Sequence, residues 1–215
     1  GSILASKSFF MTSKNPIASK NDSKISIFDS TFQAGFLKKN NQVYLDKLSN
    51  AGNHRMARSN SYNKIVSEVL NKWGIIVLAG GTGTRMISRT PKVLQKLCGK
   101  EMLNLVLANV SSVIHGEYIV VVPSKYNLIK KAVTQKVKYV VQSEANGTGE
   151  AVRIALKSCD SENVFVINAD SPLIEDSKIE LMVTRHIQSG AAVTLLTADL
   201  SEPKRFGRII RDQDA

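Results

Sequence analysis

Cysteine is nearly absent: Cys98 and Cys159 are the only two in 215 residues. Neither stands in a C-x-x-C pair or at the spacing of a metal-ligand set, so the pattern argues against a disulfide framework or a zinc module. Both read as reduced thiols, and a reducing cytoplasm suits them. Histidine is equally scarce. His54, His115 and His186 are scattered through unlike segments, which leaves no metal cluster and no nucleophile-base pair among them. No run approaches the ~20 apolar residues of a membrane span. The opening GSILASKSFFM carries no acid, but Lys7 and Ser8 interrupt its apolar stretch, so it lacks the form of a secretion signal.

Acids are also in short supply, 18 against 29 Lys plus Arg, for a net charge of +11. The imbalance is uneven: residues 1–72 hold 11 basic and 4 acidic side chains (+7), and residues 73–215 hold 18 and 14 (+4). Residues 1–72 therefore read as a basic Ser/Asn/Lys-rich extension whose apolar patches are too isolated to offset chain entropy, and we expect most of it to be irregular, and either mobile or docked on something else. A basic tail can attach to nucleic acid, but this one has no aromatic-basic interleaving, so nucleic acid is a weak reading. Ile65, Val66, Val69 and Leu70 have helical spacing and predict a short helix at the end of the extension. With 43% hydrophobic residues the chain can build one ordinary domain, placed at 73–215. A homo-oligomer is compatible with this reading and is not indicated by it.

From Trp73 onward strand and helix patterns alternate. Short β-branched runs predict strands at Ile75–Leu78, Tyr118–Val122, Lys138–Val141, Val164–Asn168 and Ala192–Thr197. Apolar residues at three- and four-residue steps predict helices near Met102–Val113, Asn127–Val133, Thr148–Lys157 and Asp176–Gln188. Such alternation implies βαβ units and an α/β fold with a doubly wound, mostly parallel sheet, whose ligands gather at the carboxyl ends of the strands.

One of those ends is built for phosphate. The strand ending at Leu78 runs into Gly80, Gly81 and Gly83, where absent side chains let backbone amides approach an anion, and Arg85 and Lys92 add charge. A P-loop would close with G-K-[ST], whereas Gly83, Thr84 and Arg85 stand here. A dinucleotide fingerprint begun at Gly81 and Gly83 would put Met86 where close packing needs glycine.

The remaining pattern, LAGGxGTRM followed by PKVL and GKEM, resembles the nucleotidyltransferases that activate sugar phosphates, above all bacterial N-acetylglucosamine-1-phosphate uridyltransferases. Three later segments carry the same resemblance in the same order: VVQSEANGTGEAV (140–152), VINADSPLI (166–174) and FGRIIR (206–211). It covers about Gly74 to Ala215 and implies a Rossmann-like nucleotidyltransferase fold. It implies UTP and a sugar-1-phosphate as partners, with Mg²⁺ as cofactor. Residue by residue, it implies Leu78, Ala79, Gly80, Gly81, Gly83, Lys92, Gln142, Gly147 and Thr148 on the nucleotide and Arg85 and Lys92 as catalytic cations. It also implies Asp170 on the metal and Gly207 against the sugar. Ala169 stands where the family has glycine before the metal aspartate. The family's amino-sugar ligands and its second metal ligand fall after Ala215, as does its left-handed β-helix, so we expect the nucleotide half of a uridyltransferase domain.

Two features of the residues agree with that chemistry. Pro91 fixes φ and disfavours helix at Thr90, which launches Lys92 from a restrained turn. Gln142 carries both a donor and an acceptor, as the O4 and N3-H edge of uracil requires. Cytidylyltransferases and hexose-1-phosphate thymidylyltransferases stay open as relatives, as does a nucleotide-binding module without turnover.

Overall fold

The computed structural model describes residues 4–6, 10–13, 25–29, 73–81, 86, 88, 90–202 and 207–209. The first five strands in chain order are β1 (Leu4–Ser6), β2 (Phe10–Ser13), β3 (Ile25–Asp29), β4 (Trp73–Leu78) and β5 (Lys96–Leu97). They are followed by β6 (Lys100–Glu101), β7 (Gly116–Pro123), β8 (Lys138–Gln142), β9 (Asn163–Asn168), β10 (Val193–Asp199) and β11 (Gly207–Ile209). The helices are α1 (Met102–Ser111), α2 (Asn127–Ala132), α3 (Gly147–Leu156) and α4 (Asp176–Ser189).

The nine-stranded sheet has the order β11-β1-β10-β2-β9-β4-β7-β8, with β3 alongside β10. β4 pairs parallel with both β7 and β9, and β7 pairs parallel with β8. β1 and β2 run antiparallel to β10, and β2 is also antiparallel to β9. All other strands of the sheet point one way, so it is mostly parallel, as the alternating pattern implied.

β4 is buried at every position, which is what a central parallel strand with both faces covered requires. The pleat sends Ile75, Val77 and Ala79 to one core with Phe165, Ile167, Val120 and Val122. Ile76 and Leu78 go to the other with Ile119, Val121, Val164 and Val166. α1, α2 and α4 cover the first face through Leu103, Val106, Leu107, Val110, Ile129, Ile179 and Met182; α3 covers the second through Ala151, Val152 and Ala155. The sheet is thus doubly wound. Full burial of each large aliphatic side chain contributes about 1.5–3 kcal/mol, so α1 is held mainly by its four buried residues.

Close packing leaves no room at two glycines. A Cβ on Gly116 would lie 2.0 Å from the Trp73 carbonyl oxygen, and one on Gly74 2.3 Å from Cys159 Sγ. Trp73 meets His186 edge-on, ring centroids 5.7 Å apart, and His186 Nδ1 lies 2.9 Å from Thr194 Oγ1. His186 is therefore a core residue joining α4 to β4 and β10.

Within residues 1–72 the described segments are β1, β2 and β3, which join the sheet, with β2 seated between β9 and β10; the rest of the extension lies outside the described residues. The pairing of these strands with β9, β10 and β11 is non-local, and local composition does not reveal it. The helix expected around Ile65–Leu70 lies outside the described residues. The β5-β6 ribbon was not anticipated: its tight turn is formed by Cys98 and Gly99, both at positive φ, 50° and 83°. Cys98 is exposed and Cys159 is buried, and neither is in a disulfide. Among the described residues, no helix is long and apolar enough to cross a membrane.

Candidate functional site

Parallel pairing brings the ends of β9, β4, β7 and β8 to one edge of the sheet. Leu78 is level with Asn168 on one side and Val121 on the other, and Pro123 is level with Gln142. The backbone ties continue past the strands: Ala79 N–H donates to Val121 O at 2.8 Å, and Ala169 N–H donates to Leu78 O at 3.0 Å. These bonds place the start of the glycine turn beside Asp170.

Lys92 opens a short 3-10 turn, Lys92–Leu94, directly after Pro91. Val93 and Leu94 are buried, and Leu94 N–H donates to Pro91 O at 2.9 Å, so the base of the side chain is anchored. Its ammonium crosses to the end of β9 and donates to Asp170 Oδ2 at 2.6 Å, with side-chain exposures of 39% and 25%. Residues 78 apart in sequence thus meet, and both were singled out from the sequence.

Gln142 ends β8. Its Nε2 donates to Gly147 O at 3.1 Å, and its Oε1 faces the glycine turn, where a Cβ on Gly80 would lie 3.0 Å from it. Gly80, Gln142 and Gly147 therefore belong to one group. Gly147 has φ +90°, a left-handed conformation that favours glycine, and it opens α3 with Thr148 exposed behind it. No side chain caps this helix start. The acid in its first turn, Glu150, is clamped by Arg153, whose Nε and Nη2 donate at 2.6 and 2.7 Å; that bonding holds the Glu150 carboxyl below its usual range.

The sequence did not point to the support behind Asp170. Asn109 of α1 donates its side-chain amide to Pro172 O at 2.9 Å and Ile174 O at 3.2 Å, clamping the loop that follows the aspartate. The Ser171 hydroxyl is buried without a hydrogen-bond partner among the described residues. Helical periodicity marks Asn109 only as a polar position, so no local signal identifies the clamp.

Gly83 and Arg85 lie outside the described residues. Gly81 is exposed and Gly80 half-buried. Gly207 opens β11 opposite Ser6 of β1, in a strand at the other end of the strand order from β8. Among the described residues, no three His, Cys, Asp or Glu side chains cluster as a metal site. Asp170 is a carboxylate that could serve a divalent metal together with oxygens from a ligand. The residues present suit that: the carboxylate already holds a cation, the Lys92 ammonium, and an unpartnered hydroxyl lies next to it in sequence.

A profile of the MobA-like NTP transferase domain matches residues 75–208. The bifunctional protein GlmU of Thermoanaerobacter pseudethanolicus is 40% identical over 139 residues, 64% of this chain and 30% of that protein. GlmU of Alkaliphilus metalliredigens is 41% identical over 140 residues, 65% of this chain and 31% of that protein. The chain thus spans 30–31% of the length of these two relatives. A nucleotidyl transferase from Methanothermobacter thermautotroptrophicus superposes with a TM-score of 0.48 at 18% identity, over 53% of this chain and 57% of that one.

Proposed function

Since the chain belongs to the MobA-like NTP transferase domain family, we propose that its strand-end site binds UTP with Mg²⁺ and serves transfer of the uridylyl group to N-acetylglucosamine-1-phosphate. The products are UDP-N-acetylglucosamine, a precursor for cell-wall synthesis in the cytoplasm, and pyrophosphate. The observation that carries the reading is the meeting of Lys92 and Asp170 at 2.6 Å, a cation and an anion beside Gly80 at the strand ends.

In this reaction a sugar-phosphate oxygen attacks the α-phosphorus of UTP, and the bond to the β-phosphate oxygen breaks. The protein's work is alignment and charge cancellation. Backbone amides of the turn that begins at Gly80, together with Arg85, take the outer phosphates. Lys92 takes the α-phosphate, where negative charge grows. Asp170 would hold Mg²⁺, which supplies charge neutralisation across the phosphates when bound. Gln142, with Nε2 committed to Gly147 O, keeps Oε1 as an acceptor for the N3-H of uracil. Gly207 is assigned to the sugar on the resemblance alone.

Two measurements test this. Calorimetry with Mg²⁺ should show tighter binding of UTP than of ATP, and equal or tighter ATP binding sinks the uracil assignment. A pyrophosphate-release assay should show kcat/KM for Lys92→Ala lowered about 10²-fold or more, the scale of a lost preorganised charge contact. Near-normal turnover refutes the role given to Lys92.

A further inference from the structure

We infer that Lys92 is a tethered cation that occupies the metal-binding carboxylate while the site is free of nucleotide, so that divalent metal enters with the nucleotide and not ahead of it. The inference rests on the reading above, which puts metal on Asp170 and phosphate on Lys92. It adds that these two roles exclude each other until a triphosphate is present.

The geometry supplies the argument. Asp170 offers a carboxylate at this edge of the sheet, and among the described residues no cluster of three ligand-type side chains competes with it. That carboxylate already accepts a charge-assisted bond from Lys92 at 2.6 Å. A divalent cation brought to the same group would face the ammonium at close range, and like charges around one carboxylate repel. The pair is only partly exposed, 39% and 25%, so solvent does not fully screen that repulsion.

The tether is set for exchange. The backbone of Lys92 is fixed by Pro91, by the Leu94 N–H bond to Pro91 O and by the Gln95 N–H bond to Lys92 O, at 2.9 and 3.1 Å. Only the four-carbon stem needs to move. Asp170 is held from the other side by the Ala169 bond to Leu78 O and the Asn109 clamp. A triphosphate in the glycine turn offers Lys92 a partner of higher charge than one carboxylate. The ammonium then leaves Asp170 for phosphate, and the freed carboxylate receives the metal that the same phosphates carry. Nucleotide and metal affinities are therefore coupled, and the coupling must be reciprocal.

The test measures Mn²⁺ binding by electron paramagnetic resonance on the chain without nucleotide, for the unmodified protein, Lys92→Met, Lys92→Arg and Asp170→Asn. Lys92→Met should bind Mn²⁺ about tenfold more tightly than the unmodified protein, within the usual span of site-to-site coupling. Lys92→Arg keeps the charge and should stay weak, and combining Lys92→Met with Asp170→Asn should abolish the gain. Equal or weaker binding by a folded Lys92→Met, judged by circular dichroism, overturns the inference, as does a gain that survives Asp170→Asn. Lys92→Gln gives the same comparison if the Met variant does not fold. Mn²⁺ titrations with UTP present separate the two levels. Unmodified protein that gains no Mn²⁺ affinity from UTP and binds no UTP sinks the functional reading itself. UTP binding with no Mn²⁺ difference between Lys92 variants sinks only the tether.

Discussion

Replacing Asn109 with alanine should loosen the Asp170 end of the site, where we propose that metal binds, from a distance. Its amide is the donor that holds Pro172 O and Ile174 O, at 2.9 and 3.2 Å, and both carbonyls lie in the loop that begins with Asp170. Two neutral hydrogen bonds at about 0.5–1.5 kcal/mol each put the loss at about 1–3 kcal/mol. For a domain of this size each kcal/mol moves Tm by about 2–4 °C, so a fall of several degrees is expected. The functional part follows because Asp170 is aimed by that loop: Mn²⁺ affinity measured with UTP should fall about tenfold, since a small misplacement of a positioned group is costly. Asn109→Asp keeps the shape but sets carboxylate oxygens against the two carbonyls, and it should be worse than Ala on both readouts. Differential scanning calorimetry and Mn²⁺ titration read the two effects separately. Asn109→Ala with lowered Tm but unchanged metal and nucleotide affinity would show that the clamp serves folding alone, and unchanged Tm would refute the bond energies as well.

Gly74→Ala should be destabilised, because its new Cβ would lie 2.3 Å from Cys159 Sγ, and the double change Gly74→Ala with Cys159→Ala should recover part of the loss. Denaturant melts decide it, and absence of recovery places the strain elsewhere. Burial lowers the pKa of His186 below its ordinary 6.5, so the unfolded chain binds more protons than the folded one as pH drops below about that value. Stability from the neutral ring is therefore full above the unfolded pKa and declines as pH falls through it towards the depressed folded value. Urea midpoints at pH 7.5 and 5.5 should differ more for the unmodified protein than for His186→Gln, and an identical pH response in both excludes His186 as the source.

Much of the fold could be read along the chain because its signals are local. The apolar run into Leu78 and the glycines after it encode strand, turn and phosphate preference within a few residues. Helical spacing in LNLVLANV encodes α1, and the structure begins that helix at Met102 as expected. Gln142, Gly147 and Asp170 were singled out by the family resemblance, and the strand patterns in the sequence put them at strand ends. Their pairings could not be read there. Lys92 and Asp170 are 78 positions apart, and Asn109 and Pro172 are 63 apart. The order β9-β4-β7-β8 and the packing of α1 against the sheet bring these pairs together. The same holds for β1 and β2, whose residues carry no pattern that predicts a place beside β9 and β10. The sequence by itself determined the periodicities, the glycine turn and the charges available to the site, since each depends on neighbours within one or two turns of chain. Only the tertiary structure decided which cation faces which carboxylate and which amide holds the loop after Asp170, because those contacts come from strand order and close packing, and both are global properties of the folded chain.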